Sequence, residues 1–155
     1  MRSEIGKGTQ FIIFIPCEAA LEETTVPTVV EDITGHGKVV LLVDDEVEIL
    51  DALEKILSDK DYQTLSASNG VEALELFEQH RDRIDVLLTD VIMPGMSGID
   101  LIQKAKDLKP SLKVVAMSGL ETMGSLEEKL GEHCVDGHLF KPFGFADLLQ
   151  TLHDV

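Results

Sequence analysis

Five consecutive apolar residues, Val39-Val40-Leu41-Leu42-Val43, constrain the fold of this chain more than any other feature. A strand with one wet face alternates apolar and polar side chains, so a run that is apolar throughout belongs to a parallel sheet covered on both faces. The pattern that follows agrees. Ile49, Leu50, Leu53, Ile56 and Leu57 recur at helical spacing, and 62–67 reads as a more polar strand near a sheet edge. Asn69, with Glu72 three residues on, caps a helix whose inward stripe is Val71, Leu74 and Phe77. Residues 84–89 are another apolar strand, closed by Asp90; Met93-Pro94-Gly95 breaks the chain, and Ser97 caps a helix carrying Ile99, Ile102 and Ala105. A fourth strand spans 113–117, and Leu126 and Leu130 mark a fourth helix. A fifth strand spans 137–140, and Phe145, Leu148, Leu149 and Leu152 line the last helix. Strands alternating with helices in this way predict an α/β fold, a doubly wound five-stranded parallel sheet with helices on both faces.

In such sheets ligands bind beyond the carboxyl ends of the strands. Asp44 and Asp45 end the first strand, Asp90 the third, Ser118 the fourth and Lys141 the fifth, all on that edge. An Asp after a strand is often a helix cap, and a Lys before a Pro is often solvated. All five arriving at strand ends together is not explained by capping. Crowded carboxylates repel one another unless a cation offsets them, and an oxygen-only ligand set of that charge suits Mg2+. A carboxylate can attack a phosphoryl group to give an aspartyl-phosphate. The charge on the three transferring oxygens is then met by Mg2+, the Lys141 ammonium and the Ser118 hydroxyl.

The composition excludes other classes. A formal net charge of −16 repels phosphate backbones and argues against nucleic-acid binding. No apolar run approaches the roughly 20 residues that span a bilayer, so no membrane contact by this segment is expected. Cys17 and Cys134 have no metal spacing and read as free thiols in a reducing cytoplasm.

Val43-Asp44-Asp45-Glu46, Asn69-Gly70-Val71-Glu72-Ala73-Leu74, Asp90 with Met93-Pro94-Gly95 and Gly98, Ser118, and Lys141-Pro142-Phe143 together resemble the response-regulator receiver domains of two-component signalling. The resemblance implies the flavodoxin-like receiver fold over 38–155, with strand order 2-1-3-4-5. It also implies that Asp44 and Asp45 hold Mg2+, that Asp90 is the phosphoacceptor, and that the backbone carbonyl of Ile92 completes the metal site. Ser118 becomes the switch hydroxyl and Lys141 the phosphate-contacting cation. The family's switch aromatic lies three residues before the lysine, where this chain has His138; an imidazole there is either an inward-rotating switch or a static surface side chain. Ile92 and Leu120 occupy the positions that flank the acceptor and govern water access, and both are apolar, which predicts slow self-dephosphorylation. Such a domain catalyses only its own phosphorylation and dephosphorylation. Its implied partners are a histidine kinase or a phosphotransfer domain, and output in the family is read from a surface at about residues 122–153.

Residues 1–16 are similar to the closing segment of a histidine-kinase ATP-binding domain, where a glycine turn and threonine (Gly6-Lys7-Gly8-Thr9) lead into a last strand, here 11–15. Residues 17–37 read as an acidic linker. Kinase domain, linker and receiver is the order of hybrid sensor kinases, so the chain reads as an excised piece of one, its parent a phosphotransferase that can be membrane-attached. None of the histidines sits in a phosphodonor helix pattern, which makes this segment an acceptor. Uncovered, the strand 11–15 would pack on the receiver, pair with a second copy or stay disordered. Two other classes compete with the receiver. A stand-alone Mg2+-binding interaction module would not need all five edge residues, and a haloacid-dehalogenase-like phosphatase requires an Asp-x-Asp spacing that Asp44-Asp45-Glu46 lacks.

Overall fold

The computed structural model describes residues 2–4, 8–10, 33–119 and 134–155. Near the start, β1 (Arg2–Glu4) and β2 (Gly8–Gln10) pair antiparallel with Ser3 opposite Thr9. The expected strand 11–15 and most of the expected linker lie outside the described residues, as do Leu120 and the helix marked by Leu126 and Leu130.

The remaining strands are β3 (Val39–Val43), β4 (Gln63–Ala67), β5 (Val86–Asp90), β6 (Lys113–Ser118) and β7 (Gly137–Phe140). They form one parallel sheet in the order β4-β3-β5-β6-β7, which is 2-1-3-4-5 among these five, as expected. The described helices are α1 (Val47–Ser58), α2 (Gly70–His80), α3 (Gly98–Leu108) and α4 (Phe145–Asp154). None is long and apolar enough to cross a membrane.

The strand period of two sends alternate residues to opposite faces. Val40, Leu42, Leu88 and Met117 join Leu50, Leu53 and Leu57 of α1 and Leu148, Leu149 and Leu152 of α4. Leu41, Val43, Leu87 and Val114 join Ala73 and Phe77 of α2 and Leu101, Ile102 and Ala105 of α3. Each large side chain buried in this way contributes about 1.5–3 kcal/mol. Strand β4, at the edge, has an exposed first residue and three half-buried ones, matching its polar sequence.

Two expected inward residues point outward. Val71 is exposed, because the buried stripe of α2 runs through Gly70, Ala73 and Phe77, and Val71 lies on the far side of the helix from Ala73. Phe145 is also exposed: as the first residue of α4 it stands beyond the packed stripe that starts at Leu148. In addition, Ile33, expected in the linker, is buried in the α1/α4 core.

At the amino edge of the sheet, Asp136 accepts from the Val114 amide (3.0 Å), Lys106 Nζ (3.1 Å) and Lys113 Nζ (2.8 Å). Burial alone would raise the Asp136 pKa, but these three donors outweigh it and hold the carboxyl below its ordinary value. A depressed folded-state pKa gives stability that is fully present above the unfolded-state value near pH 4 and is lost as pH falls through the folded value. We expect the stability difference between the native chain and Asp136→Asn, measured by urea unfolding, to be present at pH 6 and to shrink at pH 3. A difference independent of pH would contradict this role.

Candidate functional site

The carboxyl edge of the sheet is where β3, β5, β6 and β7 end side by side. Register fixes the neighbours: Val43 lies opposite Thr89, Asp90 opposite Met117, and Ser118 opposite Phe140. Each residue that follows a strand is thereby brought to the same small area. Asp44 is fully buried, Asp45 is exposed, and Asp90 is half-buried. One carboxylate oxygen from each of the three lies within 4.8 Å of the others.

Lys141 crosses this cluster. Its Nζ donates to Asp44 Oδ2 and to Asp90 Oδ2, both at 2.8 Å. Its own amide donates to the Ser118 carbonyl (2.9 Å), anchoring the residue to the end of β6. Burial pulls the Lys141 pKa down, yet the hydrogen bonds to Asp44 and Asp90 and their negative charges prevail, leaving it above the ordinary lysine value. The second oxygen of each acid meets a backbone amide: Glu46 donates to Asp44 Oδ1 (3.0 Å), and Ile92 donates to Asp90 Oδ1 (3.2 Å). The carboxylates are thus held by fixed donors before any ligand arrives, and charge-assisted hydrogen bonds of this kind are the strong class.

Local sequence explains the frame around Asp90. The Val91 amide donates to Met117 O (3.1 Å), and the Gly98 amide donates to Val91 O (3.0 Å). Gly98 packs so closely that a Cβ there would overlap the Asp90 carbonyl. A positive φ at Gly95 turns the loop, and Ser97 caps α3 by accepting from the Asp100 amide (3.2 Å). On the opposite shoulder Asn69 caps α2 by accepting from the Glu72 amide (3.0 Å), as its spacing predicts.

Asp44, Asp45, Asp90, Ser118 and Lys141 all reach this edge. Ser118 is buried, with 3% exposure. Ile92, two residues after Asp90, is 66% exposed. His138 lies on β7, half-buried, its ring stacked near Phe140 with centroids 6.4 Å apart. Its Nδ1 is enclosed and has no hydrogen-bond partner among the described residues. The amide donors of Glu46 and Ile92 were missed by sequence reasoning, because every non-proline residue carries one and only the turn geometry aims it.

Hard oxygen donors at this spacing suit Mg2+. Residues 40–153 match the response regulator receiver domain family. The chain is 31% identical over 163 residues to the sensor kinase CckA of Brucella abortus (strain 2308), covering 99% of this chain and 17% of that protein. It is 28% identical over 113 residues to sporulation initiation phosphotransferase F of Bacillus subtilis (strain 168), covering 73% of this chain and 89% of that one. The response regulator TrrA of Thermotoga maritima, solved in complex with Mg(2+)-BeF, matches with a TM-score of 0.63 at 28% identity, over 73% of this chain and 94% of that one. This chain therefore spans a small part of CckA and most of the other two.

Removing the Lys141 charge leaves a buried carboxylate without its cation, a loss typically on the order of 3 kcal/mol. We expect Lys141→Met to lower unfolding free energy by about that amount in EDTA, and to regain part of it in Mg2+. Unchanged stability in EDTA would show that the double contact contributes nothing.

Proposed function

The chain belongs to the response regulator receiver family, and from that premise we propose that Asp90 is the phosphoacceptor of a two-component phosphorelay. The observation that carries this is the Lys141 ammonium lying 2.8 Å from both Asp44 and Asp90. A cation so placed offsets part of the charge of the acids and stays within reach of a phosphoryl group built onto Asp90. The reaction forms an Asp90 Oδ–P bond and breaks the P–N bond of a phosphohistidine, whose imidazole takes back the electron pair. Asp44, Asp45, Asp90 and the Ile92 carbonyl would hold Mg2+, which offsets charge on the transferring oxygens. Lys141 meets a second oxygen, and the Ser118 hydroxyl turns toward a third. We assign the switch that follows Ser118 to His138, three residues before Lys141, on the strength of its enclosed ring nitrogen.

The donor, on this reading, is the histidine of a kinase or phosphotransfer domain. Beside Lys141, Ile49, Leu53 and Phe143 line an apolar groove of about 620 Å³ with Glu48 on its rim. Such a groove suits a helix with an apolar stripe and basic flanks. The alignment with CckA supports a hybrid-kinase origin, because it runs through nearly the whole chain, including the segment before the sheet domain. We assign 1–16 to the end of a kinase ATP-binding domain, 17–32 to the linker, whose expected last residues 33–37 pack on the sheet domain, and the site of action to the cytoplasm.

Incubation with Mg2+ and a small acyl-phosphate donor should add one phosphoryl mass to the intact protein, and Asp90→Asn should abolish it. No addition to the native chain favours a binding module without phosphorylation. Because Ile92 cannot orient a water, the phosphorylated state should be long-lived, and Ile92→Asn should shorten its lifetime by roughly tenfold. A lifetime of seconds that does not change in this variant would contradict the role given to Ile92.

A further inference from the structure

Residues 33–38 are the least expected part of the packed structure. Ile33 is 6% exposed and joins Leu53, Leu57 and Tyr62 in the α1/α4 core. Gly35 lies flat on the Tyr62 ring, where a Cβ would overlap the ring carbons, and Tyr62 is itself 5% exposed. The Gly35 amide donates to Lys60 O (2.7 Å) and the Gly37 amide to Asp61 O (2.8 Å), while the Lys38 amide closes the turn on Gly35 O (2.9 Å). His36 and Gly37 take positive φ to make that turn, and Asp61 does so on the facing loop. The Lys38 carbonyl then accepts from the Gln63 amide (3.0 Å), so the segment runs directly into the β3/β4 ladder.

We infer that residues 33–38 form a clasp by which the domain holds the chain preceding it at the corner between α1 and β4. A polar tether would bury no isoleucine and would need no glycine fitted to an aromatic ring. The clasp lies at the amino edge of the sheet, separated from Asp90 by the length of the strands, roughly 16 Å for five residues. The segment before residue 33 therefore leaves from a fixed point, on the side away from the acceptor. The chain is thereby anchored to the domain at the edge opposite Asp90. The inference concerns chain geometry and stands whether or not Asp90 is the acceptor.

Amide hydrogen exchange on the full chain tests it. The Gly35 and Gly37 amides should exchange at least about 100-fold more slowly than in an unstructured chain. Gly35→Ala should speed exchange at Gly37 at least about tenfold, leaving Leu41 and Leu88 protected and acyl-phosphate labelling within twofold of the native chain. Should the variant prove too unstable, Ile33→Ala, which removes only the buried side chain, should give the same pattern. Exchange at Gly35 and Gly37 at unstructured rates in the native chain, with β3 protected, would overturn the clasp. So would exchange at Gly37 that neither variant alters.

Discussion

Asp44 has no contact with solvent, and Asp90 is largely enclosed, with 13% of its side chain exposed. Two acids cannot share such a place without donors and a counter-charge. Lys141 supplies the charge to both at once, and the amides of Glu46 and Ile92 supply the remaining donors. This one contact joins the end of the first sheet strand to the third and, through the Lys141 amide on Ser118, to the fourth. One ammonium offsets only part of the charge of the three clustered carboxylates, Asp44, Asp45 and Asp90. A divalent cation would relieve the acids of their dependence on Lys141 and free the ammonium for the oxygens of an incoming phosphoryl group.

The sheet makes that contact possible and keeps it narrow. Lys141 and Asp44 are 97 residues apart, and no local motif can hold such a pair. Parallel strands in the order β4-β3-β5-β6-β7 set the ends of β3 and β5 beside each other, with β6 next to β5 and β7 beyond β6. The two cores on either face fix the register, because a slip by one residue would exchange Leu41 and Leu42 between faces. Gly98 lets the start of α3 close against the Asp90 carbonyl. Packing on the faces thus sets the precision of the chemistry on the edge.

Much of this was legible in the sequence. The apolar run 39–43 indicated a parallel strand, and the acids and lysine at strand ends indicated the edge before any geometry was known. The caps at Asn69 and Ser97 were equally readable, because a capping side chain bonds a backbone amide only a few residues away. Val71 and Phe145 misled, since hydrophobic periodicity identifies a stripe but not its boundary: each is apolar, near the stripe, and outside it. The backbone donors to Asp44 and Asp90 left no trace in residue type. Residues 33–37 looked like linker because glycine and histidine signal a turn, and nothing in those letters says that the turn is packed against Tyr62.

The central claim is that this acidic edge is a phosphoryl-accepting centre and that Asp90 is the atom donor to the new bond. The most direct measurement is to phosphorylate the chain in Mg2+, reduce the acyl-phosphate with borohydride, and locate the resulting homoserine by peptide mass spectrometry. The account predicts homoserine at position 90 alone. Reduction product at Asp44 or Asp45, with position 90 unmodified, would contradict it.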